Sequence, residues 1–242
     1  MPSGSIVLMS GITTVGAALR SGSYSTGDRY VFTLCVSGDC GVIQRNAQLT
    51  LKGEKIIAKT QGEILFAEYG LSGIAAMELA APAQKYINSV KCSPFTNIDF
   101  LPDMTYNDLV DYLKNLNKIK GFCKMENLLT GILPKAVGIA ICKACNLYNS
   151  EKLISDLAEK DIRNIAEKIK KFPLEITGTR GFLNAQVTSG GVKVDEINEK
   201  TMESKICRNL YFAGEIIDVD GGCGGFNLQW AWASGMLAGE MK

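Results

Sequence analysis

Histidine is absent from the 242 residues. That absence removes the Ser-His-Asp and Cys-His nucleophile schemes and every metal site built on imidazole, and no metal is expected. Chemistry in this chain falls to carboxylates, thiols, amines or a cofactor. A charge surplus is missing too, since 26 Lys+Arg stand against 25 Asp+Glu. Nucleic-acid binding draws on excess basic residues that neutralise phosphates, so no nucleic-acid partner is expected. Long apolar runs are lacking: the stretches 74–83 and 136–144 contain Glu78 and Lys143 and fall short of the roughly 18 residues of a membrane span. The opening Met1-Pro2-Ser3-Gly4-Ser5, followed by Ile6-Val7-Leu8-Met9, has no basic segment ahead of a long apolar core, unlike a secretory signal. A cytoplasmic protein without a membrane partner is the expectation. The eight cysteines are too sparse for a disulfide framework, and a chain of this length buries a core unaided, so they are expected as reduced thiols.

What is present changes along the chain. Residues 30–36 are aromatic and β-branched, and Ala47, Leu49 and Leu51 alternate with polar neighbours up to Lys52-Gly53-Glu54-Lys55. Ile56 and Ala58 resume the alternation, a hairpin signal, and residues 63–66 continue as a strand. The apolar period then lengthens to about 3.6 residues. Thr105 with Asp108 resembles a capping box ahead of the stripe Leu109, Val110, Leu113 and Leu116. Further helices are predicted from Met125 towards Pro134, from Lys135 to about Leu147, and after Ser150 along Leu153, Leu157, Ile162, Ile165 and Ile169. Asp156/Lys160 and Glu159/Arg163 form i,i+4 pairs on the wet face of that last helix. Beyond Pro173, glycine-bearing turns surround short extended segments, residues 210–213 read as a strand, and residues 226–241 read as a helix.

The segment 210–239 carries the most chemical information. A strand ending in Gly214-Glu215, a loop with Gly221, Gly222, Gly224 and Gly225, and then a helix present backbone N–H groups to whatever lies in front. The spacing is equally that of an ordinary packing unit whose glycines serve tight turns. Residues 177–182, 185–192, 201–205, 211–221 and 224–232, in that order, resemble the C-terminal signature of the BaiN-like, or aminoacetone-oxidase-like, flavoproteins. Gly62-Glu63-Ile64-Leu65-Phe66 with Tyr69-Gly70-Leu71-Ser72-Gly73 is similar to that family's inserted domain.

The resemblance implies an FAD-dependent oxidoreductase with a two-dinucleotide-fold domain, interrupted by an insert that combines a small β-barrel with helices. It implies that Gly214 and Glu215 meet the ribityl and pyrophosphate region of FAD. Gly224, Gly225, Phe226, Asn227 and Leu228 would approach the pyrimidine edge of the flavin, with Asp218 and Asn227 as secondary candidates. The family's Gly-x-Gly-x-x-Gly turn is missing, because Gly222-Cys223-Gly224 is the one Gly-x-Gly and Asn227 stands where the third glycine belongs. The expected fold class is therefore α+β: a small β-barrel-like insert domain with a helical subdomain, then a strand-loop-helix remnant of an FAD domain. Residues 1–29 are unplaced, residues 30–191 form the insert-type domain (β-rich over 30–80 and 176–191, helical over 103–171), and residues 192–242 form the remnant. A truncated chain with impaired FAD binding is expected, alongside the alternative of a non-catalytic binding or structural chain. The substrate is a small molecule that the residues do not identify, and no catalytic residue is assigned.

Weaker signals complete the reading. Cys142-Lys143-Ala144-Cys145 has C-x-x-C spacing but sits inside a predicted helix, where core thiols are favoured over a redox pair. Cys35 and Cys40 are read as a reduced pair, Trp230 and Trp232 as packing the last helix against the sheet, and Arg180 as either an anion contact or a local ion pair. Without the nucleotide-binding half, the strand 210–213 exposes an edge. It is expected to pair with N-terminal residues, or else to be buried in a homo-oligomer or against a complementing half.

Overall fold

The computed structural model describes residues 5–6, 17–18, 41–67, 70–90, 93–148, 153–176, 178–179 and 190–240. The chain divides into two compact units, residues 16–179 and residues 1–15 with 180–242. The strand expected over 30–36, Cys35, Cys40 and Arg180 lie outside the described residues. None of the described helices is long and apolar enough to cross a membrane.

In the first strand of the chain, β1 (Ser5–Ile6), Ser5 and Ile6 pair in parallel with Leu210 and Tyr211, so N-terminal residues do cover the expected edge. The larger unit holds β2 (Ala17–Ala18), β3 (Val42–Lys52), β4 (Ile56–Ala67), β5 (Gly70–Ser72), α1 (Ile74–Val90), β6 (Phe95–Asp99), α2 (Tyr106–Ile119), α3 (Lys135–Ala144), α4 (Glu159–Lys170) and β7 (Phe172–Glu175). Its six strands pair antiparallel in the order β2-β5-β4-β3-β6-β7. The hairpin stands where the alternation places it, with Gly53 N–H donating to Lys55 O at 3.0 Å in the turn. Ala47, Leu49 and Leu51 face inward with Ile64, Phe66, Ile98, Phe172 and Leu174, and the helices bury their apolar faces in the same core. The result is mixed α/β.

Thr105 caps α2 as its sequence requires: Asp108 N–H donates to Thr105 Oγ1 at 3.2 Å, and Thr105 Oγ1–H donates to Asp108 Oδ2 at 2.6 Å. Other helical expectations are corrected. Between Met125 and Pro134 only the single 3₁₀ turn Met125–Asn127 forms. Gly131 follows in a left-handed conformation at φ 106°, and Pro134 disfavours a helical Leu133. Leu128, Leu129 and Leu133 are still buried, as plugs on a loop rather than a helical stripe.

The helix expected from Leu153 to Ile169 is broken in two, a 3₁₀ turn Ile154–Asp156 and then α4. The Asp156 carboxylate accepts from Leu153 N–H at 3.0 Å, and the Asp161 carboxylate accepts from Ala158 N–H at 3.1 Å. These local bonds start two helical segments in place of one. Asp156 is thereby taken from its expected partner Lys160, whereas Glu159 does pair with Arg163 at 2.8 Å. Helix α1 falls partly within residues read as β-rich, and it carries Pro82 in its interior.

Candidate functional site

The smaller unit contains β8 (Leu210–Tyr211), the 3₁₀ turn Gly214–Ile216 and α5 (Phe226–Gly239). Gly214 has φ 75°, which favours glycine, and its backbone is held from α5 at both polar groups. Its N–H donates to the buried Ser234 Oγ at 2.9 Å, and its carbonyl accepts from Trp230 Nε1 at 3.2 Å. The Ser234 hydroxyl in turn donates to Trp230 O at 2.6 Å. Sequence reasoning did not single out Ser234. Its signal was one polar residue within the otherwise apolar Trp230–Leu237 stretch.

Asn227 ties the glycine loop to the start of α5. Its Oδ1 accepts from Gly221 N–H at 2.7 Å, and its Nδ2 donates to Gly221 O at 3.1 Å. Gly224 and Gly225 follow with φ 126° and 91°, and a Cβ on Gly225 would meet no atom within 4 Å. No side chain caps α5 and its first turn holds no acidic residue. The N–H groups of Phe226, Asn227 and Leu228 have no helical acceptor, because they open the helix. Donors at the positive end of a helix dipole thus lie on an exposed surface beside a glycine loop. Glu215 is half-buried, Asp218 is exposed, and Asp218 N–H donates to Val192 O at 3.0 Å.

Helix α5 buries only Ser234 and Ala238 completely. Phe226, Leu228, Trp232 and Met236 are 65 to 72% exposed, which corrects the reading of Trp232 as a packing residue. Trp230 does pack, against the cluster formed by Ile197, Met202, Phe212, Ile217 and Ala238. An almost wholly apolar helix has no polar face to turn outward, so apolar side chains reach solvent once one side is packed. In the larger unit, Cys142 and Cys145 are buried free thiols. Burial pushes Cys142 up to about 11, and burial followed by the neighbouring Cys142 pushes Cys145 up to about 12, so neither is a ready nucleophile. Among the described residues no group of Cys, Asp and Glu could hold a metal ion.

In this strand-loop-helix unit a glycine loop leads into a helix N-terminus that no side chain caps. The family described as the HI0933-like protein Rossmann domain matches residues 34–241, and the chain belongs to that family, the BaiN-like group that its motifs resemble. It is 34% identical over 191 residues to the 3-dehydro-bile acid delta(4,6)-reductase of Clostridium scindens, covering 78% of this chain and 46% of that protein. It is 30% identical over 172 residues to the ribosomal RNA dihydrouridine synthase of Haemophilus influenzae, covering 71% of this chain and 40% of the relative. The same figures of 30%, 71% and 40% hold over 171 residues for the Escherichia coli protein of that name. The chain spans less than half the length of these curated relatives.

Proposed function

We propose that this chain is part of an FAD-dependent oxidoreductase that reduces a carbon–carbon double bond. The observation that carries the reading is the uncapped N-terminus of α5 behind the Gly221–Gly225 loop, clamped by Asn227 and built on the family's motifs. The relatives' names support the reaction class, since delta(4,6) reduction and dihydrouridine formation both add hydrogen across a double bond. FAD, when bound, supplies hydride chemistry. The residues present fit such a group: backbone donors at Phe226, Asn227 and Leu228 would face its electron-rich edge, and the absence of Cβ atoms at Gly224 and Gly225 allows close approach. Gly214, Glu215 and Asp218 would meet the ribityl and pyrophosphate region, with Gly214 fixed in place by Ser234 and Trp230.

The ADP half of FAD calls for a Gly-x-Gly-x-x-Gly turn that the sequence does not contain. FAD binding by this chain alone is therefore weak, and a complementing nucleotide-binding segment completes the site. The exposed Phe226, Leu228, Trp232 and Met236 offer that segment an apolar surface. In this reading residues 30–191 are the insert-type domain, residues 192–242 are the FAD-domain part, and the protein works in the cytoplasm on a small organic substrate. Flavin fluorescence during FAD titration tests it, with the chain alone and mixed with the dinucleotide-binding segment of a relative. Binding tightened at least about 100-fold by the segment, close to 3 kcal/mol, is the expected outcome. Tight binding by the chain alone would refute the impaired site. No binding in either mixture would refute the flavoprotein and favour a non-catalytic binding chain.

A further inference from the structure

Strand β3 turns its two faces to different surroundings. Against β4, Arg45 and Asn46 together stand opposite the single Glu63, a bulge that lets Gln44 and, beyond it, Ala47, Leu49 and Leu51 all face inward. Gln48, Thr50 and Lys52 alternate onto the opposite face, where each is half-buried. Thr50 lies there between Lys59 of β4 and Asn97 of β6, and Gln48 lies between Gln61 and Asp99. Ile98 pairs with Phe172, so the same register carries Lys171 towards Asp99. Polar side chains from three adjacent strands thus share one face of the sheet.

That face floors an open cleft of about 560 Å³, within the usual size range for small-molecule sites, with Tyr106 and the last turn of α4 at its side. Four ammonium groups and two carboxylates line it. Lys170 and Asp99 cancel, since Lys170 Nζ meets Asp99 Oδ2 at 2.6 Å and also donates to Leu101 O and Met104 O. Lys52, Lys59 and Lys171 have no carboxylate within ion-pair distance among the described residues, and Glu167 alone is left to offset them. The cross-strand neighbours of Lys52 and Lys59 are Ile56, Phe95 and Thr50, none of them acidic. The two lysines are diagonal neighbours, a spacing of about 7–8 Å that long side chains bridge, so their like charges can converge over Thr50. An anion placed between them relieves that repulsion. The side chains of Gln48, Thr50 and Asn97 have no hydrogen-bond partner among the described residues, and their amide and hydroxyl groups are donors held on a paired sheet.

We propose that this cleft binds a small multivalent anion, carrying phosphoryl or carboxylate groups, between Lys52, Lys59 and Lys171 and above Thr50 and Asn97. The cleft lies wholly within residues 16–179, and the inference does not depend on flavin binding. Pyrophosphate and citrate, which carry similar charge near neutral pH, are the probes. Each is titrated into the ¹⁵N-labelled full chain at an ionic strength held constant with potassium chloride, so that general screening is common to every point. Tighter binding of pyrophosphate assigns a phosphoryl ligand, and tighter binding of citrate a polycarboxylate.

Saturable shifts of the Thr50 and Asn97 backbone amides are expected with at least one probe. Lys52→Gln/Lys59→Gln keeps both side chains polar and is expected to weaken the tighter probe at least about tenfold. Lys118→Gln removes a charge from an exposed position about 18 Å along α2 from Tyr106, and is expected to leave the affinity unchanged. No saturable shift with either probe, shifts confined to residues outside the cleft, undiminished affinity in Lys52→Gln/Lys59→Gln, or a loss in Lys118→Gln as large as in that double variant would each overturn the proposal.

Discussion

Gly73 shows how one backbone position fixes its neighbours. It has φ 91°, and a Cβ there would lie 2.5 Å from Glu63 O and 2.8 Å from the Ile64 Cα. Both atoms are backbone of β4 and cannot step aside, so Gly73→Ala is expected to destabilise the chain by more than about 2 kcal/mol in urea unfolding. Lys170 is a second such position. Its Nζ meets Asp99 Oδ2 at 2.6 Å, Met104 O at 2.7 Å and Leu101 O at 2.9 Å, with both charged partners less than one-fifth exposed. Lys170→Met leaves that carboxylate and two carbonyls without their cation, and a loss of about 2–4 kcal/mol is expected. The buried thiols supply a pH signature. Burial pushes Cys142 up to about 11 and Cys145 up to about 12 in the folded chain, above the ordinary thiol value of 9.0. Unfolding therefore releases protons above pH 9, and stability falls as pH rises from about 9 towards 11, by up to about 1.4 kcal/mol per pH unit for each thiol. Urea midpoints across that window are expected to fall less steeply in Cys142→Ala/Cys145→Ala than in the parent.

Helix α2 was legible because its stop and start signals are local. Thr105 and Asp108 satisfy each other, and Thr105→Ala is expected to lower stability by about 1 kcal/mol, read as a shifted urea midpoint with unchanged slope. The β3–β4 hairpin was legible for the same reason, with alternation on both sides of a glycine turn. Helix α1 was not, since its alanines sit beside Pro82, a residue that argues against a helix interior. Its buried Ala75, Ala76, Leu79 and Ala83 join the core with the sheet, and tertiary burial outweighs the missing hydrogen bond. The leucines between Met125 and Pro134 misled in the opposite sense. Apolar spacing reports burial, and a loop plugging a core buries Leu128, Leu129 and Leu133 as well as a helix would.

Pairing across the length of the chain closes the smaller unit, where Ser5 and Ile6 lie beside Leu210 and Tyr211. Ile6→Pro removes a backbone donor from that pair, and hydrogen exchange is expected to speed up at residues 210–212 while α4 keeps its protection. Unchanged exchange at Tyr211 would contradict the pairing. The edge itself could be anticipated, because a strand among glycine turns must satisfy its N–H and C=O groups somewhere. The glycine loop, the helix behind it and the family were readable from residue order, since turn chemistry and motifs are properties of neighbouring residues. The fixing of Gly214 by Ser234, the inward turn of Gln44 at a bulge, and the exposure of Trp232 beside a packed Trp230 were decided by tertiary structure. Each depends on which distant backbone group or helix arrives alongside, and contacts of that kind leave no period in the sequence.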